Sequence, residues 1–142
     1  MALEFFHGPL GLQVNEIAPR THNSGHFSID ACSSSQFDQQ LCIVAGLPVP
    51  SPQLVSHGAL MVNLLGVDPD HAAPLEERLS SLRNLPNSHL HWYQKPSETP
   101  GRKLGHVTVL LKEQTAAKRR DEAMAALHEI RRIWPLQDSE AD

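Results

Sequence analysis

An α+β architecture in two parts that meet near residue 50 is what this 142-residue chain predicts, and three patterns carry it. Short runs rich in aromatic and β-branched residues stand at 2–6 and 12–17 on either side of a turn. The segment 46–53, GLPVPSPQ, places three prolines in eight positions and reads as a connector. Beyond it, apolar or alternating runs at 59–65, 89–95 and 104–111 interleave with helical spacing, which suits an antiparallel sheet packed on helices.

The runs ALEFF and LQVNEI predict a β-hairpin around His7-Gly8-Pro9-Leu10-Gly11. With Pro9-Leu10-Gly11 as a three-residue loop and Gly11 left-handed, Gly8 pairs with Leu12, and Glu4 falls opposite Glu16. A polar, irregular loop, PRTHNSGH, fills 19–26. A helix begins near residues 33–35, where Ser33 and Gln36 fit a capping box, and Phe37, Leu41, Val44 and Ala45 recur at helical spacing until Gly46 and Pro48 stop it. A hairpin and one helix are too little to close a core, so this first part requires a further sheet to join. After the connector come a strongly apolar strand at 59–65 and a helix at 74–84 with Leu75, Leu79 and Leu82 on one side. Strands at 89–95 and 104–111 then flank the turn Thr99-Pro100-Gly101. A last helix of about twenty residues carries Ala123, Met124, Leu127, Ile130 and Trp134 on one stripe.

Charge narrows the partners. Twelve Lys and Arg stand against sixteen Asp and Glu, for a net −4 at pH 7, with no basic stripe, which argues against nucleic acid or anionic lipid held by bulk electrostatics. Small phosphorylated ligands need only two or three placed cations and stay open. No stretch reaches the ~18 to 20 apolar residues of a membrane span, and the start Met1-Ala2-Leu3-Glu4 lacks basic and apolar leader regions, so a cytoplasmic protein is expected. Cys32 and Cys42 are too few for a disulfide framework and are read as reduced thiols.

Four clusters could carry chemistry. Glu4 and Glu16, opposed on one face, would hold Cβ atoms ~5 Å apart, where like charges repel unless a cation intervenes. Two carboxylates with no nearby sulfur or clustered imidazole suit a hard ion such as Mg²⁺ completed by water and phosphate oxygens; the competing account is a solvent-facing pair that tolerates the repulsion. The loop from Arg20 to His26 gathers a guanidinium, two imidazoles, an amide and a hydroxyl directly after the second carboxylate strand. Such a set can hold a carboxylate, bicarbonate or phosphate and move a proton, or simply form a polar turn. His89 and His91 share one strand face without a third metal ligand nearby and read as a half-exposed face. Lys95, Arg102 and Lys103 flank a turn and would suit a monophosphate, or be solvated charges. Arg119, Arg120, Arg131 and Arg132 on the last helix read as a solvated face.

The order of these residues is familiar. Val14-Asn15-Glu16-Ile17-Ala18-Pro19-Arg20-Thr21-His22-Asn23-Ser24-Gly25-His26 is followed by Ser35-Gln36-Phe37 and then by Met61-Val62-Asn63-Leu64-Leu65-Gly66. After these come His89-Leu90-His91-Trp92-Tyr93 with Lys95, and Pro100-Gly101-Arg102-Lys103-Leu104-Gly105-His106. Together they resemble the C-terminal third of 5-(carboxyamino)imidazole ribonucleotide synthase, an ATP-grasp ligase of purine biosynthesis, over about residues 1–112.

The resemblance implies that 1–50 is the end of an ATP-grasp domain, hairpin plus helix, and 51–142 a small C-terminal α+β domain with an antiparallel sheet. It implies ATP- and Mg²⁺-dependent carboxylation of aminoimidazole ribonucleotide with bicarbonate through carboxyphosphate, in an enzyme that is homodimeric when complete. Glu4 and Glu16 match its magnesium ligands, and Asn15, with Glu16, lies at the nucleotide phosphates. Arg20 and His22 match the catalytic loop, Asn23 the substrate end of that loop, and Lys95 and Arg102 the cations on the ribonucleotide phosphate. Two departures stand out. Ala18 occupies a place where many ATP-grasp enzymes have asparagine, and Thr99 replaces a basic residue before the PGRK turn. The family's N-terminal domain and most of its ATP-grasp domain find no counterpart in these residues, so the chain alone is expected to be inactive. The competing reading is a non-catalytic remnant or binding module that keeps a ribonucleotide-phosphate site or a dimer surface.

Overall fold

A computed structural model of the protein describes residues 1–68, 70 and 72–136. The chain divides into two compact units, Met1–Gln53 and Leu54–Asp142, each α+β.

In the first unit β1 (Ala2–Gly8) and β2 (Gly11–Ala18) form the antiparallel hairpin. Gly11 takes φ +82°, the left-handed conformation expected of it. The register at the turn differs from expectation, because Gly8 pairs with Gly11 and His7 with Leu12. Continued unchanged, that offset would set Glu4 opposite Asn15. A bulge beyond Phe5 absorbs Asn15 and restores the pairing of Glu4 with Glu16. The carboxylates are thus opposed through the bulge and not through the loop. Leu3, Phe5, Phe6, Leu12, Val14 and Ile17 remain 49–70% exposed, so the hairpin carries apolar surface that its own unit does not cover.

A single turn, α1 (Ser28–Ala31), which sequence reasoning missed, precedes α2 (Gln36–Val44). The capping box of α2 is Ser35 with Asp38, not Ser33 with Gln36. The Asp38 carboxylate accepts from the Ser35 N–H and hydroxyl at 2.9 and 2.7 Å, which holds its pKa below the ordinary value. Gln36 is thereby left free for another task. Helical spacing is present in α2, but it lines no core: Leu41 and Val44 are 68% and 79% exposed.

The second unit is built on a sheet in the order β3-β5-β4, all antiparallel, from β3 (Gly58–Leu65), β4 (Ser88–Trp92) and β5 (Lys103–Leu111). Packed against it are α3 (Leu75–Arg83) and α4 (Ala116–Ile133). Val62 and Leu64 from β3, Leu79 and Leu82 from α3, Leu104 and Val107 from β5, and Ile130 with Trp134 form the buried core. Met124, placed on the inward stripe by its spacing, is 46% exposed. β4 stops at Trp92, short of the expected Lys95, because Gln94 adopts φ +52° and turns the chain out of the sheet. The connection 93–102 is instead held by two anchors. Gly66 N–H donates to Arg102 O at 2.7 Å and Gly66 O accepts from Gly101 N–H at 3.1 Å. The buried Arg78, whose guanidinium lies 4.0 Å over the Trp134 ring, donates to Glu98 Oε2 at 2.7 Å.

Candidate functional site

Glu4 on β1 and Glu16 on β2 face a third group, His22, which leaves the loop after β2. His22 caps the 3₁₀ turn Asn23–Gly25, its Nδ1 accepting from the Ser24 N–H at 3.3 Å. That Nδ1 lies 3.0 Å from Glu4 Oε1, while Nε2 lies 3.9 Å from Glu16 Oε1. One ligand atom from each of the three residues falls within 4.8 Å of the others. Asn15, the bulge residue, donates through Nδ2 to Glu4 Oε2 at 3.3 Å. The bulge therefore both opposes the carboxylates and supplies a donor that orients one of them. The pair is not free of imidazole as expected, because the loop after β2 folds His22 back onto it; two carboxylate oxygens at this spacing still repel each other and fit a hard divalent cation that completes its shell with water and phosphate oxygens.

Gln36, read from the sequence as the capping partner of Ser33, instead fixes His22. Its Oε1 accepts from the His22 N–H at 2.9 Å and its Nε2 donates to His22 O at 2.8 Å, so one amide side chain holds both backbone groups of that residue. Nε2 also lies 2.7 Å from His26 Nδ1. Gly25 makes room for it, since a Cβ there would stand 2.6 Å from Gln36 Oε1. Ser35-Gln36-Phe37 belongs to the family resemblance, yet nothing in its spacing tells that the Gln36 amide reaches back fourteen residues. Gln36→Leu, similar in size, is expected to shift or broaden the His22 backbone and ring resonances in NMR while those of Ser35 and Asp38 hold. Unchanged His22 resonances would contradict the clamp.

The remaining named residues are placed less tightly. Arg20 is not brought into the carboxylate cluster: its Nη1 donates to Thr21 O at 3.0 Å, and it lines a cleft of about 290 Å³ with Gln36, Gln39 and Gln40. Asn23 opens the 3₁₀ turn, its carbonyl accepting from the His26 N–H at 3.0 Å. On the second unit Lys95 and Arg102 share the 93–102 connection but hold different partners. Lys95 Nζ donates to Lys103 O at 2.6 Å and stands 5.7 Å from the Tyr93 ring; Arg102 Nη1 donates to Ser97 Oγ at 2.9 Å. His91 is not merely half-solvated, because it stacks on His106 with centroids 4.5 Å apart. His106 in turn pairs through Nδ1 with the Tyr93 hydroxyl at 2.8 Å, and burial pushes the Tyr93 phenol up from its ordinary pKa.

Comparison with known proteins first defines a class. Residues 1–37 match the ATP-grasp domain, so the hairpin, the His22 loop and the start of α2 lie within a segment of that fold. Residues 59–120 match the phosphoribosylaminoimidazole carboxylase C-terminal domain. An N5-carboxyaminoimidazole ribonucleotide synthase of Synechococcus elongatus is 48% identical over 137 residues, which are 96% of this chain and 34% of that protein. The crystal structure of the N5-carboxyaminoimidazole ribonucleotide synthetase of Thermus thermophilus superimposes with a TM-score of 0.71 at 38% identity, covering 97% of this chain and 34% of the other. That of Aspergillus clavatus N5-carboxyaminoimidazole synthase, in complex with ADP and 5-aminoimidazole ribonucleotide, gives 0.69 at 31% identity over 92% and 34%. The resemblance read from the motifs is borne out: the chain is related by sequence and by fold to the N5-carboxyaminoimidazole ribonucleotide synthases. It spans about a third of the length of these relatives. Among the described residues no helix is long and apolar enough to cross a membrane.

Proposed function

We propose that the chain serves the ATP- and bicarbonate-dependent carboxylation of aminoimidazole ribonucleotide, as the part of a C–N bond-forming ligase that ends its ATP-grasp domain and adds its small C-terminal domain. The observation that carries this reading is the Glu4–Glu16–His22 cluster, its three ligand atoms within 4.8 Å, in a segment matched to the ATP-grasp domain. The exposed apolar face of the hairpin supports it, since an ATP-grasp sheet would cover that face. In this reading the complete enzyme is a cytoplasmic homodimer.

Glu4 and Glu16 would hold Mg²⁺, which when bound offsets phosphoryl charge. Asn15 orients Glu4 and faces the nucleotide phosphates. Arg20 holds the oxyanion end of bicarbonate with its planar fork, and His22, fixed by Gln36, takes up or returns a proton at its ring nitrogen. Asn23 binds the imidazole end of the substrate, and Lys95 and Arg102 hold the ribonucleotide phosphate by charge-assisted hydrogen bonds.

A chimera in which these residues replace the matching stretch of the Synechococcus elongatus relative supplies the rest of such an enzyme. In it, Arg102→Ala is expected to raise the KM for aminoimidazole ribonucleotide at least ~10-fold, the scale of one charge-assisted hydrogen bond, and to leave the KM for ATP nearly unchanged. Steady-state kinetics with each substrate varied in turn decides it. An effect confined to ATP would remove Arg102 from the substrate site.

A further inference from the structure

Glu98 turns its carboxylate to the buried Arg78, and the residues on either side of it, Ser97 and Thr99, are exposed. The hydroxyls of these two neighbours meet 3.1 Å apart, and the exposed Arg102 donates through Nη1 to Ser97 Oγ at 2.9 Å. The backbone brings the three side chains together. Pro100 and Gly101, the latter at φ +75°, form a turn that returns the Arg102 N–H to Thr99 O at 3.0 Å, and the bonds from Gly66 and Arg78 pin that turn in place. Neither Ser97 nor Thr99 has a role in the ligase reading so far.

Counting hydrogens gives the cluster its polarity. A guanidinium can only donate, and the bond between the two hydroxyls uses one of their two hydrogens. Ser97 Oγ already accepts from Arg102, so one hydroxyl hydrogen stays available, on Thr99 if Ser97 donates to it and on Ser97 in the reverse case. Among the described residues no acceptor takes up that hydrogen or the other N–H groups of Arg102. A positive charge beside accessible donors is the complement of an oxyanion with several oxygens, which a phosphate monoester supplies. We propose that Ser97 and Thr99 belong to the site that holds the ribonucleotide phosphate: Ser97 Oγ orients the Arg102 guanidinium, and the available hydroxyl hydrogen donates to a phosphate oxygen beside it. In this site, which rests on the ligase reading for the placement of Arg102 at the phosphate, a cation and a hydroxyl pair share the grip.

NMR titration of the 142-residue chain with ribose 5-phosphate, read at the Arg102 Nε–H and with ribose as the phosphate-free control, tests the assignment. Ribose 5-phosphate is expected to saturate with a Kd below ~5 mM, and ribose to leave the signal in place. Either hydroxyl alone still has a hydrogen to give, so the decisive variant is Ser97→Ala combined with Thr99→Val. It should raise the Kd at least ~5-fold, less than the ~10-fold of a buried charge-assisted bond because the loop is exposed. Ser97→Thr and Thr99→Ser keep the hydroxyls and should each stay within ~2-fold of the parent, which a loss of loop structure would not allow. Failure to saturate by ~20 mM, saturation no tighter than that of ribose, or an unchanged Kd in the double variant overturns the proposal. Arg102→Ala separates the two readings: binding lost there and kept in the double variant would leave Arg102 at the phosphate and remove the hydroxyls from it. No ATP and no turnover enter the measurement, so its failure is distinct from a failure of the proposed reaction.

Discussion

Glu16→Gln in the chimera is expected to lower magnesium-dependent ADP release by about 10³-fold, some 4 kcal/mol of lost charge stabilisation, while the melting temperature stays within a few degrees of the parent. The amide keeps the size of the carboxylate but removes the negative charge that would hold a hard cation. Stability is spared because Glu16 is half exposed and stands opposite Glu4, so neutralising it relieves a like-charge pair. ATP turnover measured against magnesium concentration reads the effect. Near-normal turnover at ordinary magnesium would remove Glu16 from the metal site, and a collapsed melting temperature would show that its role is structural.

The second large effect falls on the fold that presents the cations. Gly66→Ala would place a Cβ 2.1 Å from Thr99 O and 2.6 Å from Glu98 O, both backbone atoms that cannot swing away. The 93–102 connection must then lift, and with it go the bonds that join Gly66 to Arg102 and Gly101. A destabilisation of about 3 kcal/mol or more is expected, within the range of severe overpacking and broken buried hydrogen bonds. Denaturant unfolding of the chain measures it. In the chimera the same change should raise the KM for the ribonucleotide, since Arg102 loses its backbone anchor. A change in stability below ~1 kcal/mol would show that the connection is not pinned at Gly66.

How far these residues could be read beforehand follows from the range of the interactions involved. Period-2 and helical spacing are local: β3, α3 and β5 fall within a residue or two of the expected bounds, and α4 runs for 18 residues against an expected length of about twenty. The opposed carboxylates were also foreseen, but by the wrong geometry, because a bulge at Asn15 cancels an error in the turn register. A bulge leaves no mark in hydrophobic alternation when both faces of the hairpin are exposed. Both Ser33 with Gln36 and Ser35 with Asp38 fit a capping pattern, and only the tertiary demand on Gln36 from His22 and His26 separates them. Lys95 was set at a strand end because alternation runs past Trp92, whereas the left-handed turn at Gln94 ends the strand earlier. Arg131 shows the opposite limit: its place on the helix wheel says solvent, yet the residue is half-buried and its Nη1 fully so. The Glu4–Glu16 pair, weak alone, gained meaning only from the ordered motifs around it.

The central claim, that these residues complete an ATP-grasp carboxylating ligase, is tested most directly by supplying the chimera with ATP, magnesium, aminoimidazole ribonucleotide and isotopically labelled bicarbonate. Transfer of label into an N-carboxylated ribonucleotide is followed by NMR alongside ADP release. The account predicts labelled product formed in step with ADP, and neither when the ribonucleotide is withheld. A folded chimera that forms no labelled product under conditions where the Synechococcus elongatus parent does would contradict it.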